Sequence, residues 1–229
     1  MKQLLLDIVP PSSPTLDNFV PGRNLELLQT LDNILGEREQ ERFVYLWGGK
    51  GCGKSHLLQA VVEACTQNKL DAAYIKCGIK PNINAEFSAI SEVDCLTVDD
   101  IDHLNESTQI GLFNLYNHIR DEGHALMLVC GSAAPAQLNL RKDLVTRLGW
   151  GLVYQVHELS DEEKTQAMKS HAASRGFDLP QVVCDYLLRH GQRDLPSLMA
   201  TLDALDLYSR TDQRQITIPM LRELLLPTS

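Results

Sequence analysis

Eight residues between an apolar run and a helical segment carry the strongest chemistry in this sequence. Gly48-Gly49-Lys50-Gly51-Cys52-Gly53-Lys54-Ser55 reads G-x-x-x-x-G-K-S. Phe43-Val44-Tyr45-Leu46-Trp47 precedes it, and the amphipathic stretch from His56 to Val62 follows. A strand, a glycine-rich turn and a helix N-terminus are the context a phosphate-binding loop requires. The glycines let successive backbone N–H groups converge on phosphate oxygens, and the helix end adds partial positive charge. Lys54 is placed to reach the β and γ phosphates and Ser55 to ligate Mg²⁺. A chance glycine-rich turn would rarely carry both flanks. Cys52, inside the loop, has either a thiol activated by the helix N-terminus or a side chain turned away; it is assigned no chemistry of its own.

Some forty residues on, Val93-Asp94-Cys95-Leu96-Thr97-Val98-Asp99-Asp100 is an apolar strand ending in two acids. Paired with the loop, it places Asp99 at the Mg²⁺ water shell and Asp100 towards an attacking water. Asp94, Asp102 and Glu92 are expected to be solvated. Ser132, after the fourth apolar run, bonds either an attacking water or a loop backbone.

Elements that could position these residues alternate along the chain. Strands are expected at Phe43–Trp47, Ala72–Lys76, Cys95–Val98, Ala125–Cys130 and Leu152–Val156, with helical segments between them, a parallel-sheet pattern. A helix over Asn24–Glu37 is expected to bury Leu25, Leu28, Leu31 and Leu35. Beyond residue 159 four helices follow without a strand. Ser160-Asp161-Glu162-Glu163 is a capping box, Gly176 closes that helix, Asp178 and Asp194 open two more, and Thr217–Leu225 is the fourth. The expected organisation is a leader over 1–14, an α/β nucleotide-binding core over 15–159 and an all-α lid over 160–229.

Bulk properties exclude other classes. A formal charge of −9 argues against a protein that mainly grips a phosphate backbone, so sequence-specific DNA binding is not expected. No apolar run spans a bilayer and the N-terminus is no secretory signal, so a cytoplasmic protein is expected. Six cysteines never form a C-x-x-C pair and the seven histidines show no ligand spacing. Trp47 and Trp150 are expected to pack.

Three further strings resemble one family. Thr15-Leu16-Asp17-Asn18-Phe19-Val20-Pro21-Gly22 is similar to the adenine-pocket segment that opens the AAA+ domain of DnaA, Val98-Asp99-Asp100-Ile101 to its Walker B, and Thr146-Arg147-Leu148-Gly149-Trp150-Gly151-Leu152 to its box VII. The resemblance covers nearly the whole chain. It implies an AAA+ fold binding ADP or ATP with Mg²⁺, with Asn18, Phe19 and Val20 at the base. Gly48 to Ser55 and His56 would line the phosphate and nucleoside side. Arg147 would act as a finger in a neighbouring subunit's site.

Within the family, the match is better to Hda-type regulators than to the initiator. No helix-turn-helix domain is expected beyond the lid, and only about eighteen residues, Cys77 to Asp94, lie where the initiator carries a two-helix insertion. Gln3-Leu4-Leu5-Leu6-Asp7-Ile8 fits the clamp-binding motif of Hda-type proteins, with Gln3, Leu4, Leu6 and Ile8 as the contacts, on a leader bearing Pro10, Pro11 and Pro14. The alternative for these residues is an apolar terminus packed on its own domain. The implied partners are DnaA and the DNA polymerase III sliding clamp, with a homodimer left open. The sensor 2 position departs from the family: Arg193-Asp194-Leu195-Pro196 puts Pro196 where an arginine contacts phosphates, with Arg193 one turn earlier as the substitute. The competing readings are an autonomous ATPase, such as a helicase loader of the DnaC type, and a DNA-binding remnant of an initiator.

Overall fold

Two of the apolar runs are buried along their whole length, and they form the middle of the sheet. The computed structural model describes residues 13–78, 87, 93–122, 124–212 and 216–225. Strands β1 (Phe43–Trp47), β2 (Ala72–Lys76), β3 (Cys95–Asp99), β4 (Leu126–Gly131) and β5 (Leu152–Gln155) form one parallel sheet in the order β2-β3-β4-β1-β5. Every residue of β3 and β4 is buried, whereas β5 alternates, as a strand at the margin should.

The period-2 alternation of the strands splits the core in two. Val44, Leu46, Leu128 and Cys130 point to one face, where they meet Leu27 and Leu31 of α1 (Leu25–Leu35) and Leu57, Leu58 and Val61 of α2 (Lys54–Gln67). Tyr45, Leu96, Val98, Met127 and Val129 point to the other, against α3 (Glu106–Glu122) and α4 (Lys142–Leu148). Helices on both faces of a parallel sheet make this an α/β P-loop core. This compact unit runs from Ser13 to Glu158.

Asn24 ties the first helix to the end of the last strand. It is almost fully buried, donates from Nδ2 to the His157 carbonyl (2.9 Å) and accepts from the His157 N–H (2.7 Å). A buried amide satisfied on both sides is specific as well as stabilising.

The second unit includes 159–229 and holds α5 (Asp161–Ser174), α6 (Gln181–His190), α7 (Leu195–Asp212) and α8 (Ile218–Leu225). Met168, Val183, Leu187, Leu198, Leu202 and Leu221 form its own core. The expected capping box is present: the Ser160 hydroxyl accepts from Glu163 N and the Glu163 carboxylate from Ser160 N. Asp194 caps α7 by accepting from Ser197 N (3.0 Å), and Pro196 sits in the first turn, where its missing N–H costs nothing.

Two helix expectations need correction. In α1 the buried stripe is Leu27, Leu31 and Ile34, while Leu25 is more than half exposed. The helix carries more apolar residues than one face can bury, and the stripe is centred one position on from Leu25. Asp178 does not open α6; the helix starts at Gln181 after an extended Pro180. Proline bars the preceding residue from helical backbone, so the turn begins behind it.

Glycine at 151 is required by a close approach. A Cβ there would lie 2.1 Å from the Phe43 carbonyl oxygen, whereas one at Gly149 would meet only ordinary contacts at 3.7 Å. Gly151→Ala is therefore expected to destabilise the core by about 1–3 kcal/mol. Gly149→Ala, at a backbone conformation alanine adopts, should change stability by no more than ~1 kcal/mol. Urea unfolding midpoints of the two variants check this.

Candidate functional site

The phosphate-binding loop lies where β1 runs out between β4 and β5, and its glycines answer to separate demands. A Cβ at Gly48 would sit 2.4 Å from the Val156 carbonyl oxygen, so the first glycine lets the loop pass the chain leaving β5. Gly51 and Gly53 have positive φ (82° and 102°), and at Gly53 a Cβ would lie 2.6 Å from the Phe19 ring. Gly49 and Gly51 face open space, with nothing within 4 Å of a Cβ. Gly53 is the N-cap of α2 and, having no side chain, offers no cap bond to the helix's first N–H groups. Those donors, with the exposed backbone of Gly49, Lys50 and Gly51, fit an anionic ligand.

Lys54 folds back over this cradle. Its ammonium donates to the carbonyls of Gly48 (2.8 Å) and Gly49 (2.9 Å), with Cys52 Sγ at 3.8 Å. Cys52 is buried in the core beside Gly48, so the turned-inward alternative describes its side chain.

The segment expected at the adenine side packs against the same helix start. Phe19 and His56 rings lie 5.5 Å apart at 57°, and His56 Nε2 is 2.9 Å from the Thr15 carbonyl. Asn18 and Thr15 close a small loop, the Thr15 N–H donating to Asn18 Oδ1 and the Asn18 N–H to Thr15 Oγ1. Val20, beside them, is half-buried. Phe19 is thus held where it touches the loop, while the Asn18 amide is engaged in its own turn.

Asp99, at the end of β3, is completely buried. Tyr74 donates to one carboxylate oxygen (2.6 Å) and the Cys130 thiol to the other (2.7 Å). Burial alone would raise its pKa. Hydrogen bonds from Cys130, Tyr74 and Ser55, with the Lys76 charge, outweigh burial and hold the carboxyl below its ordinary value. Burial and the Asp99 charge push the Cys130 thiol up, so it stays a protonated donor. Asp99, Asp100 and Cys130 present ligand atoms within 4.8 Å of one another. With Ser55 bonded to Asp99, the acids and this hydroxyl suit a hydrated divalent ion.

Asp100 takes the left-handed conformation (φ 56°), which short polar side chains tolerate. Its carboxylate is 3.4 Å from the Lys76 ammonium, which also lies 4.0 Å from Asp99.

Asp102 is not merely solvated. It accepts from the Ser132 N–H (2.8 Å) and hydroxyl (2.7 Å), and so clamps the loop after β4. Tyr45 holds the next residue by donating to the Ala133 carbonyl (2.8 Å). Neither option for Ser132 describes its hydroxyl, which donates to the Asp102 carboxylate.

Arg147 lies in the last turn of α4, a short helix and not a loop, just ahead of the marginal strand β5. Its guanidinium stacks on Trp150 (3.9 Å to the centroid) and faces Phe113 (5.5 Å), and its Nε has no hydrogen-bond partner. Trp150 does not pack into the core: it is 55% exposed and carries Arg147 on one side, with Arg120 at 5.7 Å. Trp47, by contrast, packs on the core as expected.

Arg193 belongs to the helical unit and pairs there with Asp161. Gln3, Leu4, Leu6 and Ile8, Glu92, and most of the stretch between Cys77 and Asp94 lie outside the described residues.

The family model for the bacterial DnaA ATPase domain matches residues 12–155, and that for the Hda lid domain matches 161–225. The chain belongs to the DnaA-related AAA+ family, and its helical part matches the Hda lid. Solved structures agree on the fold. Domain III of the Thermotoga maritima initiator DnaA is 23% identical with a TM-score of 0.72, over 92% of this chain and 95% of that one. AMPPCP-bound DnaA from Aquifex aeolicus is 22% identical with the same TM-score, over 90% and 71%. A RuvB variant from Thermotoga maritima is 16% identical with a TM-score of 0.69, over 93% and 72%.

Tyr74, Lys76, Cys130 and Asp102 are the site residues that sequence reasoning missed. Only strand register pairs Lys76 with Asp99, and no local motif marks it.

The hydrogen bonds on Asp99 set an acid limit. A carboxyl with a depressed folded pKa contributes stability that is fully present above its unfolded value, near 3.9, and is lost as pH falls through the lower folded value. Tyr74→Phe removes one donor and moves the folded value up. Acid unfolding followed by circular dichroism is expected to begin at higher pH in Tyr74→Phe than in the unsubstituted protein.

Proposed function

We propose that this protein is a regulatory adaptor that inactivates the replication initiator DnaA. Bound to the DNA-loaded sliding clamp, it stimulates hydrolysis of the ATP held by DnaA and so restrains replication initiation. The observation that carries this reading is the state of Arg147. A guanidinium stacked between aromatic rings, with its Nε unpartnered and no ion pair among the described residues, is a cation oriented but not neutralised. Such a group meets the negative charge that develops on a transferring phosphoryl group without reorganising first. The match to the Hda lid domain model supports the same choice within the family.

The loop at Gly48–Ser55 takes adenine nucleotide, with Phe19 beside the base and Mg²⁺ near Ser55 and Asp99. AMPPCP-bound DnaA structures among the similar folds support a nucleotide here. Asp100 acts on the phosphate side. Gln3, Leu4, Leu6 and Ile8 bind an apolar pocket of the clamp as an extended peptide. The protein works in the cytoplasm. An autonomous ATPase remains the second reading, and one observation favours it: Asp99 is held ionised beside Ser55, as turnover would need.

Lys54→Ala is expected to weaken ADP binding at least tenfold, because its ammonium is the loop's main side-chain cation. Calorimetry checks this, and equal affinities would remove the loop from the account.

The decisive assay follows conversion of DnaA-bound ATP to ADP in the presence of clamp loaded on DNA. Arg147→Ala is expected to abolish stimulation, a loss on the order of 10³-fold or more, while this protein keeps its own ADP affinity. Arg147→Lys should rescue poorly, since a point charge lacks the planar fork of donors. Replacing Gln3, Leu4 and Leu6 together by Ala should abolish stimulation through loss of the clamp, with an unchanged melting temperature. Undiminished stimulation by Arg147→Ala would overturn the trans-acting role.

A further inference from the structure

The carboxylate at the end of β3 is held by donors that no nucleotide-site motif contains. Tyr74 stands opposite Thr97 on the adjacent parallel strand, two residues before the level of Asp99. Its ring carries the hydroxyl forward, and that hydroxyl donates to Asp99 Oδ2 (2.6 Å). From the other side Cys130 of β4 donates its thiol hydrogen to Asp99 Oδ1 (2.7 Å). The Tyr74 hydroxyl is itself held, by a hydrogen bond with the Gln59 side chain. Because its one hydrogen goes to Asp99, the Gln59 amide is the donor in that bond. Gln59 lies one turn after Ser55 on α2, and Ser55 also bonds Asp99. The helix that begins at the phosphate-binding loop thus reaches the carboxylate twice, directly through Ser55 and indirectly through Gln59 and Tyr74.

We propose that Tyr74, oriented by Gln59, is a positioning residue that aims the Asp99 carboxylate at the water shell of Mg²⁺, and so sets how strongly the ion tightens nucleotide binding. The proposal rests on the reading that the Gly48–Ser55 loop binds nucleotide with Mg²⁺ near Ser55 and Asp99. Rotation of an aspartate carboxylate about its last bond is soft, with broad wells. One donor on each oxygen pins that rotation, and each oxygen keeps a lone pair for a metal-bound water. Hydrogen bonds weaken steeply away from their preferred angle, so a carboxylate free to turn is a poorer partner for that water. Of the two donors the phenol is the stronger, a thiol being a weak one, so Tyr74 carries more of this task than Cys130. Groups that orient a metal's partners without touching the ion typically set its affinity by about 10–100-fold. Tyr74 and Gln59 act in this way through Asp99, and belong neither to the loop nor to the acids.

The test is the affinity of the full chain for a fluorescent, non-hydrolysable ATP analogue, measured at neutral pH in excess Mg²⁺ and in excess chelator. The unsubstituted protein is expected to bind at least tenfold more tightly with Mg²⁺. In Tyr74→Phe the affinity in chelator should stay within twofold, while the gain from Mg²⁺ falls about tenfold. Gln59→Leu makes the same comparison without altering the sheet. It leaves the hydroxyl in place but free to turn, and should lose at least half of the gain with its chelator affinity likewise kept. An unchanged gain from Mg²⁺ in both variants would overturn the proposal. So would an equal loss of affinity in both buffers, which marks damage to the loop and not a misdirected carboxylate. If the unsubstituted protein binds the analogue but gains nothing from Mg²⁺, the metal reading itself is wrong. Absence of binding in both buffers sinks the nucleotide reading, and the proposal falls with either.

Discussion

A single ionised carboxylate, sealed from solvent at the end of a fully buried strand, constrains the rest of the core. An unpaired charge in such a place would cost several kcal/mol, so the surroundings of Asp99 must supply donors. They come from three elements: Tyr74 on β2, Cys130 on β4 and Ser55 at the start of α2. Each donor must arrive at one point, which fixes the relative height of three neighbouring strands and the depth of the helix behind them. The hydrogen bonds of the sheet allow a parallel register to slip; satisfying this carboxylate does not.

With that end of the sheet fixed, the strand order determines where chemistry can gather. Strands β1, β3 and β4 end side by side, and the chain leaves all three towards the same edge of the sheet. The phosphate-binding loop follows β1, the two acids follow β3 and the Ser132 loop follows β4. Such a crevice beyond the carboxyl ends of parallel strands is where this class of fold binds ligands. The loops there are held by polar contacts as well as packing. Asp102 grips Ser132, Tyr45 reaches through the space a Gly131 side chain would fill to grip Ala133, and Phe19 lies against Gly53. Losing the part-buried Tyr45 bond would leave its hydroxyl and the Ala133 carbonyl without partners, which favours this one loop arrangement.

How much of this was legible in the sequence depends on whether the signal is local. The loop at Gly48–Ser55 was legible because spacing and flanks lie within some twenty residues. The five strands were legible because central parallel strands read as continuous apolar runs. The capping box at Ser160 was legible because it is closed by a residue three positions on. Position-specific geometry was less so. The start of α6 was misplaced because Asp178 looks like a cap, and only the backbone restriction imposed by Pro180 decides otherwise. Trp150 looks like a packing residue because large aromatics usually are, yet it projects outward as a platform for Arg147. Lys76, Tyr74 and Cys130 went unassigned because their roles depend on register between strands far apart in sequence. Asp102 was set aside because an acid two residues past the strand end looks solvated until the loop from β4 is brought against it.

The two cations at opposite margins of the sheet carry the last step. Lys76 ends β2, the strand at one margin, and Arg147 precedes β5, the strand at the other. Lys76 turns towards its own chain's acids, so its charge is spent on a site within the same core. Arg147 has aromatic faces for neighbours, which orient a guanidinium without neutralising it, and its buried Nε has no hydrogen-bond partner. Charge pairing at the first margin and its avoidance at the second have opposite consequences. The first leaves a cation largely neutralised by the acids it meets; the second leaves one that is oriented but has no counter-charge among the described residues.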